Sequence, residues 1–260
     1  MTQVEVATST EAPPTSALAG LDSLRRLAIV PALNEQESVG RVIDELRAFD
    51  PGLDVVVVDD GSTDRTAGIA VDSGARVVRL PFNLGIGGAM QTGFRYAFEH
   101  GYDVAVQVDG DGQHDPAELP KILAPLIAGE ADLVVGSRFT GEGEFRSTAL
   151  RRVGIRVFAW TVSRIVGQRV TDTTSGFRAV GRRGIALFAA DYPHDYPEVE
   201  ATVMVAKARL RLLEVPVSMR ERAGGRSSIT TLGSVYYMAK VMLALFVGLF
   251  RRSATPLEER

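Results

Sequence analysis

The chain is 260 residues long, 45% hydrophobic and 23% charged, with no cysteine. This composition marks a globular protein and excludes a disulfide scaffold, a thiolate catalyst and cysteine-ligated zinc or iron–sulfur centres. The net charge of −3 conceals an asymmetry, net −12 over residues 1–137 and net +9 over residues 138–260, which suits a divalent cation in one half and phosphates or an anionic membrane surface in the other.

Residues 1–24, rich in Thr, Ser, Ala and Pro without sustained periodicity, read as a disordered tail. They lack the basic start and apolar core of a secretory signal, so the chain is expected to be cytoplasmic. From Leu27 onward, apolar runs alternate with helical patterns. Strands are predicted at Leu27–Pro31, Leu53–Asp59, Ala75–Leu80, Asp103–Asp109 and Leu133–Ser137, and helices near Gln36–Ala48, Asp64–Ser73, Gly85–Glu99 and Pro116–Ala128. Near-continuous Val/Ile strands separated by helices predict a mainly parallel sheet covered on both faces, with ligands at the carboxyl ends of its strands.

Carboxylates recur at that edge. The first strand runs into Pro31-Ala32-Leu33-Asn34-Glu35, the second into Asp59-Asp60-Gly61-Ser62-Thr63-Asp64, and the fourth into Asp109-Gly110-Asp111-Gly112-Gln113-His114-Asp115. Asn34, Ser62 and Asp64 are residue types that cap helix N-termini. Capping does not account for Asp109 and Asp111, whose spacing suits a shared Mg²⁺ or Mn²⁺ that also takes phosphate oxygens. Three scattered histidines, His100, His114 and His194, do not make a histidine-rich site. An EF-hand loop starting at Asp109 fails at His114 and Pro120, where Gly and Glu are required. Gly85-Ile86-Gly87-Gly88-Ala89-Met90 breaks the dinucleotide fingerprint and follows the third strand, and no Walker lysine pattern is present, so hydride transfer and P-loop chemistry lose their support. The glycines of Gly85–Gly93 fit either a close nucleotide approach or close helix packing.

Six motifs in order carry a resemblance: Pro31 to Glu35, Val57 to Asp64, Asn83-Leu84-Gly85, Val108 to His114, Gly136-Ser137-Arg138 and Asp172-Thr173-Thr174-Ser175-Gly176-Phe177-Arg178. The chain resembles family 2 glycosyltransferases, and within them the polyprenyl-phosphate hexosyltransferases of the dolichol-phosphate mannose synthase type. The resemblance implies the GT-A fold, an α/β nucleotide-diphospho-sugar transferase architecture with a Rossmann-like mixed sheet, and a nucleotide-sugar donor with Mg²⁺ or Mn²⁺. It assigns Pro31, Leu33, Glu35, Asp59, Asp60, Asn83 and Gly85 to the nucleotide, and Asp109, Asp111 and Gln113 to the metal. Arg138, Arg152 and Arg222, with Ser227, are assigned to the acceptor phosphate. Asp109, Asp111 and the three arginines form the implied catalytic set. Ser228 stands where relatives often carry Lys, and Arg226 adds a charge two residues earlier.

The chemistry expected from the residues agrees with this. A diphosphate leaving group needs neutralisation, which a metal with arginine supplies, and direct attack on the donor inverts the anomeric configuration. A polyprenyl phosphate is already largely ionised near pH 7 and needs no base. A sugar hydroxyl of a polysaccharide or glycolipid needs one, for which Asp195, Glu198 and Glu200 are candidates. An inactive sugar-nucleotide-binding scaffold is the alternative of another class, against which the intact charged set argues.

The expected organisation is a catalytic domain over 25–228, apolar interfacial helices over 229–252 and a tail over 253–260. Val241 to Phe250 is ten uncharged residues followed by Arg251 and Arg252, short of the roughly 20 a spanning helix needs. Interfacial association at the cytoplasmic face of the membrane is therefore expected, with a separate membrane protein as a candidate partner and a homo-oligomer contact as the alternative use of this segment. The Arg-rich stretch 138–183 lacks the aromatic interleaving of a nucleic-acid surface, so no nucleic-acid partner is expected.

Overall fold

The computed structural model describes residues 24–138, 159–220 and Lys240. The expected tail, the segment 139–158 and nearly all of 221–260 lie outside the described residues. In chain order the strands are β1 (Arg26–Ala32), β2 (Leu53–Asp59), β3 (Arg76–Arg79), β4 (Val104–Gln107), β5 (Leu133–Ser137), β6 (Arg178–Gly181) and β7 (Leu212–Pro216). The helices are α1 (Val39–Phe49), α2 (Thr66–Asp72), α3 (Gly85–Glu99), α4 (Leu119–Ile127), α5, described over 159–166, α6 (Arg182–Ala190) and α7 (Pro197–Lys207).

The strands form one sheet in the order β3-β2-β1-β4-β6-β5-β7. All neighbours are parallel except β6, which runs antiparallel to both β4 and β5. Every residue of β1 is buried, as a central strand covered on both faces demands. Its side chains alternate between two cores: Leu27 and Ile29 pack with Met90, Phe94, Phe188 and Tyr192, whereas Ala28 and Val30 pack with Val42, Ile43, Leu46 and Ile122. Thus α3 and α6 cover one face and α1 and α4 the other.

The helical glycines are packing devices. A Cβ on Gly93 would lie 2.3 Å from Ile29 Cγ2, and one on Gly87 would lie 2.2 Å from the Pro193 carbonyl oxygen. Side chains there would push α3 off β1 and off the segment before α7.

Two corrections to the expected boundaries concern the site. Strand β4 ends at Gln107, so Asp109 is loop, although the Val108 N–H still donates to Ile29 O at 3.0 Å. Helix α1 starts behind Ser38 and α2 behind Arg65. Asn34 and Ser62 are therefore not caps, and their polar groups bond across two loops. Leu24, expected in the tail, packs against the second core.

Candidate active site

The carboxyl ends of β1, β2 and β3 are laced together by side chains. The Asn34 N–H donates to Ser62 Oγ (2.9 Å) while the Thr63 N–H donates to Asn34 Oδ1 (2.9 Å). The Glu35 N–H donates to Thr66 Oγ1 (2.9 Å), and the Arg65 N–H to Gln36 Oε1 (3.2 Å). This mutual bonding holds Asn34 at φ 55, a left-handed geometry that Asn tolerates better than most residues. Pro31 is buried in β1, and Leu33 projects 40% exposed beside the laced loops. Glu35 Oε2 accepts from Ser38 Oγ at 2.8 Å.

Asp59 and Asp60 shape this region from beneath. Asp59, 1% exposed, accepts from the Ser62 N–H and from Arg79 Nε. Both oxygens of Asp60 are taken: Oδ1 by the Leu84 N–H at 2.7 Å and Oδ2 by the Gly85 N–H at 2.9 Å. A carboxylate at the first N–H groups of α3 satisfies orphan donors and complements the helix dipole. Asn83 Oδ1 accepts from the same Gly85 N–H. Between them Gly61 adopts φ 78, and a Cβ there would meet the Asn83 backbone nitrogen at 2.9 Å. The exposed surface over this floor belongs to Leu33, Asn83 and Leu84.

The second half of the site is the loop after β4. Asp109 is part exposed. Its backbone N–H donates to His114 Nδ1 (3.1 Å), which leaves the proton of a neutral imidazole on Nε2, 3.6 Å from Asp109 Oδ2. His114 is buried and stacks on Phe177 at 4.7 Å, so the ring is fixed against the carboxylate. Asp111 Oδ1 accepts from the Gln113 N–H. Gly176 leaves room beside Asp109: a Cβ there would lie 3.2 Å from Oδ2. Among the described residues, no three His, Asp or Glu side chains converge to hold a metal by themselves. Asp109 and Asp111 are a two-carboxylate set, and such a set suits a hard cation that completes its shell with phosphate oxygens and water.

Arg138, at the end of β5, is aimed by a relay. Its Nε and Nη2 donate to Asp172 Oδ2 and Oδ1 at 2.8 and 2.9 Å, and Nη2 also donates to Thr174 Oγ1. Burial would push the Asp172 carboxyl up, but the Arg138 guanidinium, with the Arg138 and Thr174 N–H groups, holds it below its ordinary value. Burial acts on Arg138 in the opposite direction, and Asp172 and Asp109 together hold its proton more tightly. The backbone of Thr171–Asp172 hangs in turn on Glu214 of β7, which accepts the Thr171 N–H (2.8 Å), Thr171 Oγ1 (2.8 Å) and the Asp172 N–H (2.9 Å).

Arg178, at the end of the same motif, is 3% exposed and donates only to carbonyls: Ser175 (2.7 Å), Glu198 (2.6 Å) and Thr173 (3.3 Å). It ties the loop to α7. There, burial pushes the Glu198 carboxyl up, with Arg178 opposing. Glu200 Oε1 accepts from the Tyr196 N–H at the helix start, and Asp195 is exposed.

The structure thus gathers Asp109, Asp111, Gln113 and Arg138 on one edge, beside the laced loops of Pro31, Leu33, Glu35, Asp59, Asp60, Asn83 and Gly85. Arg152, Arg222 and Ser227 lie outside the described residues. Sequence reasoning assigned no role to Glu214, His114 or Arg220. A lone carboxylate inside the apolar run Leu212-Leu213-Glu214-Val215-Pro216 was the available signal for the first. Arg220 bonds the segment after β7 to the Asp109 loop: its N–H donates to Gln113 O (2.9 Å), and its guanidinium pairs with Asp115 and Glu45.

Comparison with known proteins fits this arrangement. The model of "Glycosyl transferase family 2" matches residues 27–189. An undecaprenyl-phosphate mannosyltransferase of Micrococcus luteus is 35% identical, with 80% of this chain and 88% of that protein covered. A polyprenol monophosphomannose synthase of Mycolicibacterium smegmatis is 32% identical over 79% and 81%. Among solved structures, a glucosyl-3-phosphoglycerate synthase of Mycobacterium tuberculosis, crystallised with Mn²⁺, uridine-diphosphate-glucose and phosphoglyceric acid, shares the fold at TM-score 0.70 and 22% identity, with 96% and 94% covered. The mixed seven-stranded sheet, the paired aspartates after β4 and the family match together make the chain a glycosyltransferase that belongs to family 2.

Proposed function

We propose that the protein is an inverting, metal-dependent transferase that moves a hexose from a nucleotide-diphosphate sugar to a polyprenyl phosphate at the cytoplasmic face of a membrane. The observation that carries this reading is the pairing of two part-exposed carboxylates, Asp109 and Asp111, with an arginine, Arg138, held in place by Asp172. Anionic and cationic groups on one edge are what a metal-bound diphosphate requires. Relatives named for undecaprenyl-phosphate and polyprenol monophosphate chemistry support the acceptor class.

In this reading the laced loops receive the nucleoside. Pro31, Leu33, Glu35, Asn83 and Gly85 supply its surface, and Asp59 and Asp60 set the positions of those loops. Asp109, Asp111 and Gln113 would hold Mg²⁺ or Mn²⁺, which when bound neutralises diphosphate charge. His114 keeps Asp109 in one orientation, so the carboxylate need not reorganise as donor binds. Arg138 offers fixed positive charge to phosphate oxygens. Arg152, Arg222 and Ser227 are assigned by motif to the acceptor phosphate. An oxygen of that phosphate attacks the anomeric carbon directly as the bond from that carbon to the nucleoside diphosphate breaks, and the nucleoside diphosphate leaves with the bonding pair. The acceptor phosphate is ionised near pH 7, so no general base is needed.

The test is transfer of label from UDP- and GDP-sugars into organic-extractable lipid, with purified protein, polyprenyl phosphate and Mn²⁺ or Mg²⁺, with and without chelator. A chelator-sensitive, mild-acid-labile glycolipid from one donor is the expected result. Transfer to a saccharide hydroxyl with none to lipid phosphate would replace the acceptor assignment. Tight nucleotide binding without any transfer would favour the scaffold reading.

A further inference from the structure

The helix α5 has two unlike faces. Val162, with Ile165 and Val166, packs against Val199 and Val203 of α7. On the opposite side Trp160 is 62% exposed, the largest exposed hydrophobic side chain of the described residues, and Arg164, one turn on, places its guanidinium 5.4 Å from the indole centroid. Arg169 is also exposed just past the helix. From Phe145 to Thr171 the sequence carries six arginines and no acidic residue.

The helix is joined to the site. The Val170 N–H donates to Ser163 Oγ (2.9 Å), and Thr171 Oγ1 meets Ser137 Oγ (3.0 Å) next to Arg138. The C-terminal end of the helix is therefore tied, through Val170 and Thr171, to the strand end that carries Arg138.

We infer that this face, Trp160 with Arg164 and Arg169, seats the catalytic domain on an anionic lipid bilayer. The inference rests on the lipid-acceptor reading and adds to it the surface that meets the membrane. An indole with an arginine on its ring matches the headgroup layer, where an apolar ring and a cation are both accommodated. The acid-free run supplies charge complementarity to anionic lipid, and one Lys or Arg at such a surface contributes roughly a fivefold gain in binding. A polyprenyl phosphate presents its headgroup at the bilayer surface, so a surface-seated Arg138 edge meets it without extracting the lipid.

The chain contains a single tryptophan, so Trp160 emission is a native reporter. Full-length protein is titrated with vesicles of phosphatidylcholine alone or containing phosphatidylglycerol. Emission should shift to shorter wavelength only with the anionic vesicles and be quenched by lipids brominated near the headgroup. Arg164→Glu should weaken flotation with anionic vesicles about fivefold or more, and Trp160→Ala should weaken it similarly. Both variants should keep transfer to a short-chain isoprenyl phosphate that is monomeric in solution, while transfer to vesicle-embedded polyprenyl phosphate falls.

Unchanged Trp160 emission, with both variants floating like the parent, overturns the proposal and leaves the acceptor assignment standing. An emission shift that depends on protein concentration without lipid overturns it in favour of a second copy of the chain. A vesicle-dependent shift in a protein that transfers to neither lipid phosphate upholds the docking face and removes the acceptor assignment.

Discussion

Replacing Asp172 by Asn keeps the shape of the side chain and removes its charge. The Asp172 side chain is 0% exposed and that of Arg138 26%. Oδ2 accepts Arg138 Nε and the Arg138 N–H, and Oδ1 accepts Nη2 and the Thr174 N–H. The amide oxygen can keep one of these sides, while its NH₂ faces two donors on the other. Breaking one partner of a buried pair costs about 3–5 kcal/mol, and the water reaching Arg138 places this case near the lower figure, about 3 kcal/mol. For a chain of this size that is a fall in Tm of about 6–12 °C. The carboxyl is held below its ordinary value of 3.8, so its contribution is full above that pH and is lost as pH falls through the depressed folded-state value. Urea melts of parent and variant from pH 7 to pH 2.5 should therefore show a midpoint gap that is constant at neutral pH, narrows below about pH 4 and closes in strong acid. A gap under about 1 kcal/mol at pH 7, or one that survives undiminished at pH 2.5, would refute an ionised pair as what holds Arg138.

Four further substitutions address the rest of the edge. Asp111→Ala should abolish turnover while leaving metal-free nucleotide binding, measured calorimetrically, within about threefold, since the laced loops are untouched. Glu214→Gln keeps one acceptor oxygen and turns an NH₂ toward Thr171 or Asp172; a cost of about 1.5–3 kcal/mol in urea melts is expected, with a lower kcat and a nearly unchanged donor KM. Gly61→Ala forces a Cβ against the Asn83 backbone at positive φ; a loss of at least about 1–2 kcal/mol and weaker nucleotide binding by calorimetry should follow. Gly176→Ala should disturb Asp109 more than the fold, read as a raised metal requirement in the transfer assay with Tm within about 4 °C of the parent.

The half of the site built on β1, β2 and α3 was legible because its signals are local. Continuous apolar runs such as Leu53–Asp59 fall on strands over the residues expected, and Gly85–Glu99 is a helix with the expected bounds. Asp109 and Asp111 stood out as carboxylates past an apolar run, although the strand itself stops at Gln107, whereas Arg138 was marked only by the motif Gly136-Ser137-Arg138. The roles of Asp59 and Asp60 were less legible, because a buried carboxylate on backbone N–H groups and an exposed one on a ligand are the same letter. Asn34 and Ser62 have the residue types of caps, but they bond to each other's loops 28 residues apart in sequence, beyond the range over which caps are inferred. Glu214, His114 and Arg220 act on residues brought near only by sheet order. The short strand β6 gives four residues of pattern, too few to separate from a loop.

Strand β6 fills the space between β4 and β5, which share no ladder of their own. Until it docks, the sheet is two fragments, β3-β2-β1-β4 and β5-β7. The insertion joins residues 104–107 to 178–181 and 133–135 to 178–180, contacts of long sequence separation that are slow to form. The same strand begins at the edge where Asp172, Gly176 and Arg178 stand, so closing the sheet also delivers the groups that aim Arg138 and flank Asp109. Partly folded molecules therefore lack the assembled edge of Asp109 and Arg138, and recovery of catalysis on refolding should coincide with the last rise in sheet signal rather than trail it.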